Sequence, residues 1–193
     1  MTARTGRRPG GGDSRGDIVT AARASFADRG YDATSLRAVA RAAGVDPALV
    51  HRFFGGKPGL FAAAMDLPAD PGTLVRGLLG GGLDGLGERI VRTFVGVWDS
   101  EPAQSRLVAM LRAGVAGAEA ADVLRGYLTE AVLEPLAEAT GRADGRLRAS
   151  LAASQLVGLA VARYLLRIEP LATTSPDDVA RALGPTLQRY LTA

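Results

Sequence analysis

The chain has 193 residues, of which 47% are hydrophobic and 22% charged, enough for a sizeable core in one compact body or in a small domain joined to a larger one. It contains no cysteine, which excludes disulfide frameworks, cysteine-based zinc sites and thiol catalysis. The net charge of +3 is unevenly placed: residues 1–66 hold ten Lys/Arg against six Asp/Glu, whereas 67–193 hold thirteen against fourteen, so the N-terminal third has the electrostatic footprint of a phosphate-binding module.

Residues 1–13 are basic and glycine-rich with no apolar run behind them, so a mobile arm is expected there, not a secretory signal. Ser14 with Asp17 three residues on resembles a capping box. It opens a helix that sets Ile18, Ala22 and Phe26 on one face and stops near Arg29–Gly30. Thr34 or Ser35 can cap a second helix, in which Leu36, Val39, Ala40 and Ala43 form an i, i+3, i+4, i+7 stripe that Gly44 ends. Asp46 can cap a third helix, with Pro47 at the first position, where a missing N–H is harmless; Val50 and Phe54 lie on its inner side, with Phe53 at its edge. Gly55–Gly56 breaks the chain again, and Lys57-Pro58 opens a fourth helix with Leu60, Phe61 and Ala64 on its apolar side.

Leu67 to Gly87 is glycine-rich and poorly periodic, and the domain junction is placed there. Long helices are then expected at 88–100, 103–113, 120–139, 146–167 and 176–190. The last begins well, with a serine cap at Ser175, Pro176 in the first turn and the carboxylates of Asp177 and Asp178 at the positive end of the helix dipole; Gly184-Pro185 should kink it. No segment has the alternation of a strand, so the fold class is all-α. The longest apolar stretch, Leu151 to Leu166, is interrupted by Ser154, Gln155 and Arg163 and is too short to span a bilayer, so a cytoplasmic protein without membrane contact is the expectation.

The spacing across Leu36 to Phe54 defines a helix-turn-helix. Two short helices crossing steeply need a small residue at the crossing, here Ala40, and a turn residue able to take positive φ, here Gly44 four positions on. Val39, Ala43, Val45, Val50 and Phe53 fall where the shared core is expected. Asp46, Pro47, Ala48, Leu49, His51 and Arg52 then face outward or lie at the N-terminal end of the third helix, the end that enters the major groove in this architecture. Arg52 can bond guanine O6 and N7 or a phosphate, His51 can donate to a phosphate, and Ala48 and Leu49 can touch a thymine methyl. His51, the only histidine, is the one candidate general base and lies on this face, so no catalytic residue, metal ligand or cofactor is assigned.

Three segments together resemble the TetR family of regulators: Phe26-Ala27-Asp28-Arg29-Gly30-Tyr31-Asp32-Ala33-Thr34-Ser35, then Val39-Ala40-Arg41-Ala42-Ala43-Gly44-Val45, then Val50-His51-Arg52-Phe53-Phe54-Gly55-Gly56-Lys57-Pro58-Gly59-Leu60. The resemblance is close over residues 14–65; beyond that it extends to length and helical character. It departs from the family pattern at His51, where tyrosine is usual, and at Phe53. It implies phosphate contacts from Thr34, Ser35 and Arg37 at the start of the second helix and from Lys57 before the fourth. Lys57, the only lysine in the chain, sits at a helix N-terminus, where free N–H groups already favour an anion.

The resemblance also implies a DNA-binding domain over 14–66 and, over 67–193, a domain that binds a small, mainly apolar effector and joins two subunits. Phe94, Trp98, Met110, Tyr127 and Tyr164 are candidates to line a cavity, and Gln155, on an otherwise apolar helix, could orient a ligand or face solvent. Ala149, Ala153, Val157, Ala160 and Tyr164 form one stripe and Val179, Leu183, Leu187 and Tyr190 another; two such helices from each subunit would make a four-helix bundle. A homodimer that binds double-stranded operator DNA this way implies a palindromic site.

Overall fold

The computed structural model describes residues 13–192, which form eleven α-helices with no strand among them. The arm expected over 1–13 lies, but for Asp13, outside the described residues. Helix α1 (Ser14–Ala33) starts one residue earlier than its sequence suggests: Ser14 is already helical, so the expected capping box does not form. Gly30, at φ 76°, interrupts the helical backbone where a stop was expected, and one further turn swings Tyr31 into the core.

Helices α2 (Leu36–Ala43), α3 (Pro47–Phe54) and α4 (Lys57–Ala64) follow their start and stop signals. Ser35 caps α2 by accepting from the Ala38 N–H, and Asp46 caps α3 by accepting from the Ala48 N–H at 2.7 Å. Gly44 adopts φ 68°, which lets the Val45 N–H reach back to the Ala40 carbonyl and turns the chain between the two helices. Ile18, Phe26, Val39, Val50, Leu60 and Phe61 close the core of this unit. Each large apolar side chain so buried contributes roughly 1.5–3 kcal/mol.

The stretch expected to be irregular contains a helix, α5 (Pro71–Leu79). Asp70 caps it by accepting from the N–H groups of Gly72 and Thr73, and Pro71 stands in the first turn; the surrounding glycines hid the same Asp-Pro signal that was legible at Asp46-Pro47. The remainder runs α6 (Leu86–Trp98), α7 (Glu101–Ala116), α8 (Ala118–Leu128), α9 (Glu134–Thr140), α10 (Gly145–Ala160) and α11 (Pro176–Thr192). A π-helical stretch, Thr129–Leu133, joins α8 to α9. Pro135 has no N–H to return to Ala131, and the Glu134 N–H bonds the Thr129 carbonyl five residues back. A second π stretch, Val161–Leu165, ends α10. Ser175 both donates to the Asp178 carboxylate and accepts from its N–H, so the expected cap of α11 forms, and the chain stays helical through Pro185.

The main core lies between α5, α6, α9, α10 and α11. The two stripes expected to face a partner subunit turn largely inward to build it. Ala149, Ala160, Tyr164, Val179 and Leu187 are buried within the chain, Ala153, Leu183 and Tyr190 are half-buried, and only Val157 is exposed. An amphipathic pattern marks a face to be covered, and here α6 covers α11 while α9 and α11 pack on α10.

Arg163, only 6% exposed, lies in the π stretch that ends α10. It holds Asp99 through two bonds of 3.1 Å and donates to the carbonyls of Leu171 and Thr174, while the Tyr164 hydroxyl donates to the same carboxylate at 2.8 Å. This cluster fixes the end of α6 and the loop before α11 to α10.

Candidate nucleic-acid interface and its linked cavity

The expected contact residues are accessible to solvent, with one exception. Ser35 and Arg37 on α2, and Asp46, Ala48, His51 and Arg52 on α3, are exposed; Leu49 and Lys57 are half-buried. Thr34 is not available: it is 2% exposed, and its hydroxyl is 2.8 Å from the Gly30 carbonyl and 3.2 Å from the Ser25 hydroxyl. Its polar group closes the joint between α1 and α2 in place of a phosphate contact. Thr34→Val should therefore cost about 1–3 kcal/mol by leaving the Gly30 carbonyl unpaired. Denaturant titration checks this, and an unchanged midpoint would refute it.

Phe53 lies at the edge of α3, as its helical position predicts, and not in the shared core of the helix-turn-helix. It is 41% exposed, with the Arg52 guanidinium 5.6 Å from its ring centre, while Phe54 takes the inner position and carries Arg15 over its other side. Arg52 therefore leaves α3 on an aromatic platform that restricts where its fork can point. Lys57 is similarly held: its ammonium lies 4.3 Å from the Tyr31 ring centre and donates to the Asp32 carbonyl at 3.2 Å.

The helix-turn-helix core is completed from outside its own segment. Tyr127 and Ala131 are buried in it, and the Tyr127 ring stands 4.4 Å from Phe61 and 5.9 Å from Tyr31. The Tyr31 hydroxyl donates to Glu130 at 2.8 Å. Gly126 admits this approach, since a Cβ there would lie 3.0 Å from the Tyr31 ring and 2.9 Å from the Asp32 carboxylate. Sequence periodicity alone could not reveal this seam.

On the far side of Tyr127 lies a cavity of about 210 Å³ between α5, α6, α7, α8 and α10. Phe94, Trp98, Met110 and Tyr127, expected as lining residues, do line it. Tyr164 does not: it is turned to Asp99. Gln155 instead borders a shallow groove between α10 and α11, together with Ser154, Gly158 and Ala182. Leu74, Leu111 and Leu156, which sequence reasoning did not single out, are also in the cavity wall.

Two short crossed helices with a capped, exposed second helix, set on a larger helical body with an apolar cavity, define a helix-turn-helix DNA-binding regulator of two-domain, all-α build. Residues 18–64 match the family model described as bacterial regulatory proteins, tetR family, and residues 84–191 match that of the tetracyclin repressor-like C-terminal domain. A crystal structure of a TetR-family regulator from Streptomyces coelicolor A3 is 42% identical, with a TM-score of 0.50, over 97% of this chain and 99% of that one. A TetR-family structure from Rhodococcus sp., 24% identical with a TM-score of 0.50 over 93% of this chain and 98% of that one, shares the fold. No curated protein matches the chain. The chain belongs to the TetR family of transcriptional regulators.

Proposed function

We propose that this regulator is a homodimeric cytoplasmic repressor that binds a palindromic operator and releases it when a small molecule enters the cavity; it acts by binding, not by catalysis. The observation that carries this reading is the shared position of Tyr127, at once a wall of the cavity and part of the helix-turn-helix core. A ligand that favours a different packing around Tyr127 shifts α1 and α4, and with them the separation of the two recognition helices.

The DNA-binding domain is read as 14–66 and the effector and dimer domain as 67–193. Ser35, Arg37 and Lys57 serve phosphates, and Asp46, Ala48, Leu49, His51 and Arg52 face the groove. The dimer face is assigned to the outward side of α10 and α11. Leu147, Leu151, Ser154 and Gly158 follow one another at helical spacing, as do Asp178, Ala182, Pro185 and Arg189. Leu147 is 61% exposed, and Ser154, Gly158, Asp178 and Ala182 border one groove, so the two outward faces lie side by side. Two copies related by a two-fold axis would cover them as a four-helix bundle.

Selection of bound sequences from random DNA tests the reading: two inverted half-sites are expected, and enrichment of no sequence would sink it. The roles separate by mutation. Lys57→Ala should weaken binding to all DNA and lower the salt slope by about one per subunit, whereas Arg52→Ala should relax preference at one position per half-site. Equal losses on every sequence from both variants would contradict the assignment.

A further inference from the structure

The cavity wall restricts what can enter it. Among the described residues 24 line the cavity, and none of these is Asp, Glu, Lys, Arg or His. A charged ligand would lose its hydration with nothing to replace it. The volume of about 210 Å³ compares with the ~150 Å³ engineered cavity that takes benzene, so a bicyclic molecule of about ten non-hydrogen atoms fits.

Lining residues with a polar N–H or O–H on the side chain are few: Thr93, Trp98 and Tyr127. Tyr127 stands apart because its side chain is fully buried and its hydroxyl has no hydrogen-bond partner among the described residues. Burial, with the Asp70 carboxylate adding to it, pushes the phenol far above its ordinary value, so it stays neutral and keeps both a donor and an acceptor. A buried, unpartnered hydroxyl is costly to keep, and a structure that retains one gains when a ligand satisfies it.

We propose that the cavity takes a neutral, mainly apolar molecule bearing one hydrogen-bonding oxygen, and that this oxygen pairs with the Tyr127 hydroxyl. The ligand class rests on the cavity alone. Only its consequence for DNA rests on the repressor reading: the Tyr127 ring, 4.4 Å from Phe61, makes the residue that selects the ligand also the residue that α4 packs against.

Calorimetric titration of the full chain with 1-naphthol, naphthalene and 1-naphthoate tests the assignment. The alcohol should bind about tenfold tighter than the hydrocarbon, the increment of one buried hydrogen bond, and the carboxylate about a hundredfold more weakly than the alcohol. In Tyr127→Phe the alcohol's advantage should vanish while naphthalene affinity stays within about twofold, and the melting temperature should match or exceed the parent's, since the change removes only an unpaired polar atom. Ala153→Leu, which fills part of the cavity, should weaken all three probes. Preference for the carboxylate, an alcohol advantage that survives Tyr127→Phe, or no binding of any probe would overturn the proposal. A chain that follows the predicted ligand order yet shifts no DNA would support this assignment and sink the repressor reading; one that binds DNA but none of the probes would do the reverse.

Discussion

Gly87→Ala is expected to destabilise the chain by about 3 kcal/mol and to lower its melting temperature by roughly 6–12 °C. Helices α6 and α11 cross with their backbones touching at two facing glycines. A Cβ on Gly87 would stand 2.6 Å from the Gln188 nitrogen and 3.1 Å from its Cα, and closer still to the Gly184 carbonyl oxygen. A Cβ on Gly184 would meet the backbone of Glu88 at 2.8 Å. These obstacles are main chain, so no side-chain rotation relieves them; one helix has to move away from the other. That movement would break the 2.9 Å bond from the Gly87 N–H to Gln188 and open the core around Leu86, Val91, Leu187 and Leu191, all at most 1% exposed. The helix propensity gained by replacing glycine, about 1 kcal/mol, works in the other direction and is outweighed. Gly96 provides the control on the same helix. It is exposed and nothing lies within 4 Å of its would-be Cβ, so Gly96→Ala should raise the melting temperature by about 2 °C. Thermal unfolding of the two variants decides the matter. Similar shifts from both would show that the crossing is not limited by these backbones.

The contrast between these two glycines also shows where the sequence was legible. Local signals sufficed wherever a local cause acts: Gly44 takes the left-handed turn its position called for, and Asp46 and Ser175 cap as their side chains predict. Long-range causes were not readable. A glycine inside α6 looks like a helix breaker until its partner on α11 is known, and α6 starts at Leu86, two residues before the Glu88 that periodicity predicts. The burial of Thr34 and the exclusion of Phe53 from the shared core are hidden for the same reason. Cap residues and helix edges can face either way, and only the Gly30 carbonyl behind Thr34 and the packing of Phe54 decided which. The inward stripes of α10 and α11 are legible as apolar faces, but periodicity does not say whether the covering helices belong to the same chain or to a second copy. Phe94, Trp98 and Tyr127 are legible as cavity candidates; that Tyr127 also closes the helix-turn-helix core follows from its contact with Phe61, 66 positions away, which no window of sequence contains.

The largest electrostatic effect should come from the Asp99–Arg163 pair, which the sequence showed only as an arginine interrupting an apolar stretch. Asp99→Ala leaves a guanidinium, 6% exposed, without its counter-ion. Its remaining partners, the carbonyls of Leu171 and Thr174, neutralise no charge. Removing one partner of a buried pair costs about 3–5 kcal/mol, and the lower end applies because Asp99 keeps a side facing solvent. Tyr164 adds to the loss, since its hydroxyl donates to the same carboxylate. A melting temperature roughly 6–12 °C below the parent's is expected. Arg163→Met should cost less: the removed group takes its charge with it, and Asp99 retains the Tyr164 hydroxyl and water. The double variant Asp99→Ala/Arg163→Met should be more stable than Asp99→Ala alone, because the second change removes the orphaned charge created by the first. Equilibrium unfolding of the four proteins measures that coupling directly. If the two losses simply add, the pair is not acting as a unit, and the hold on the loop before α11 has to come from the backbone bonds of Arg163 instead.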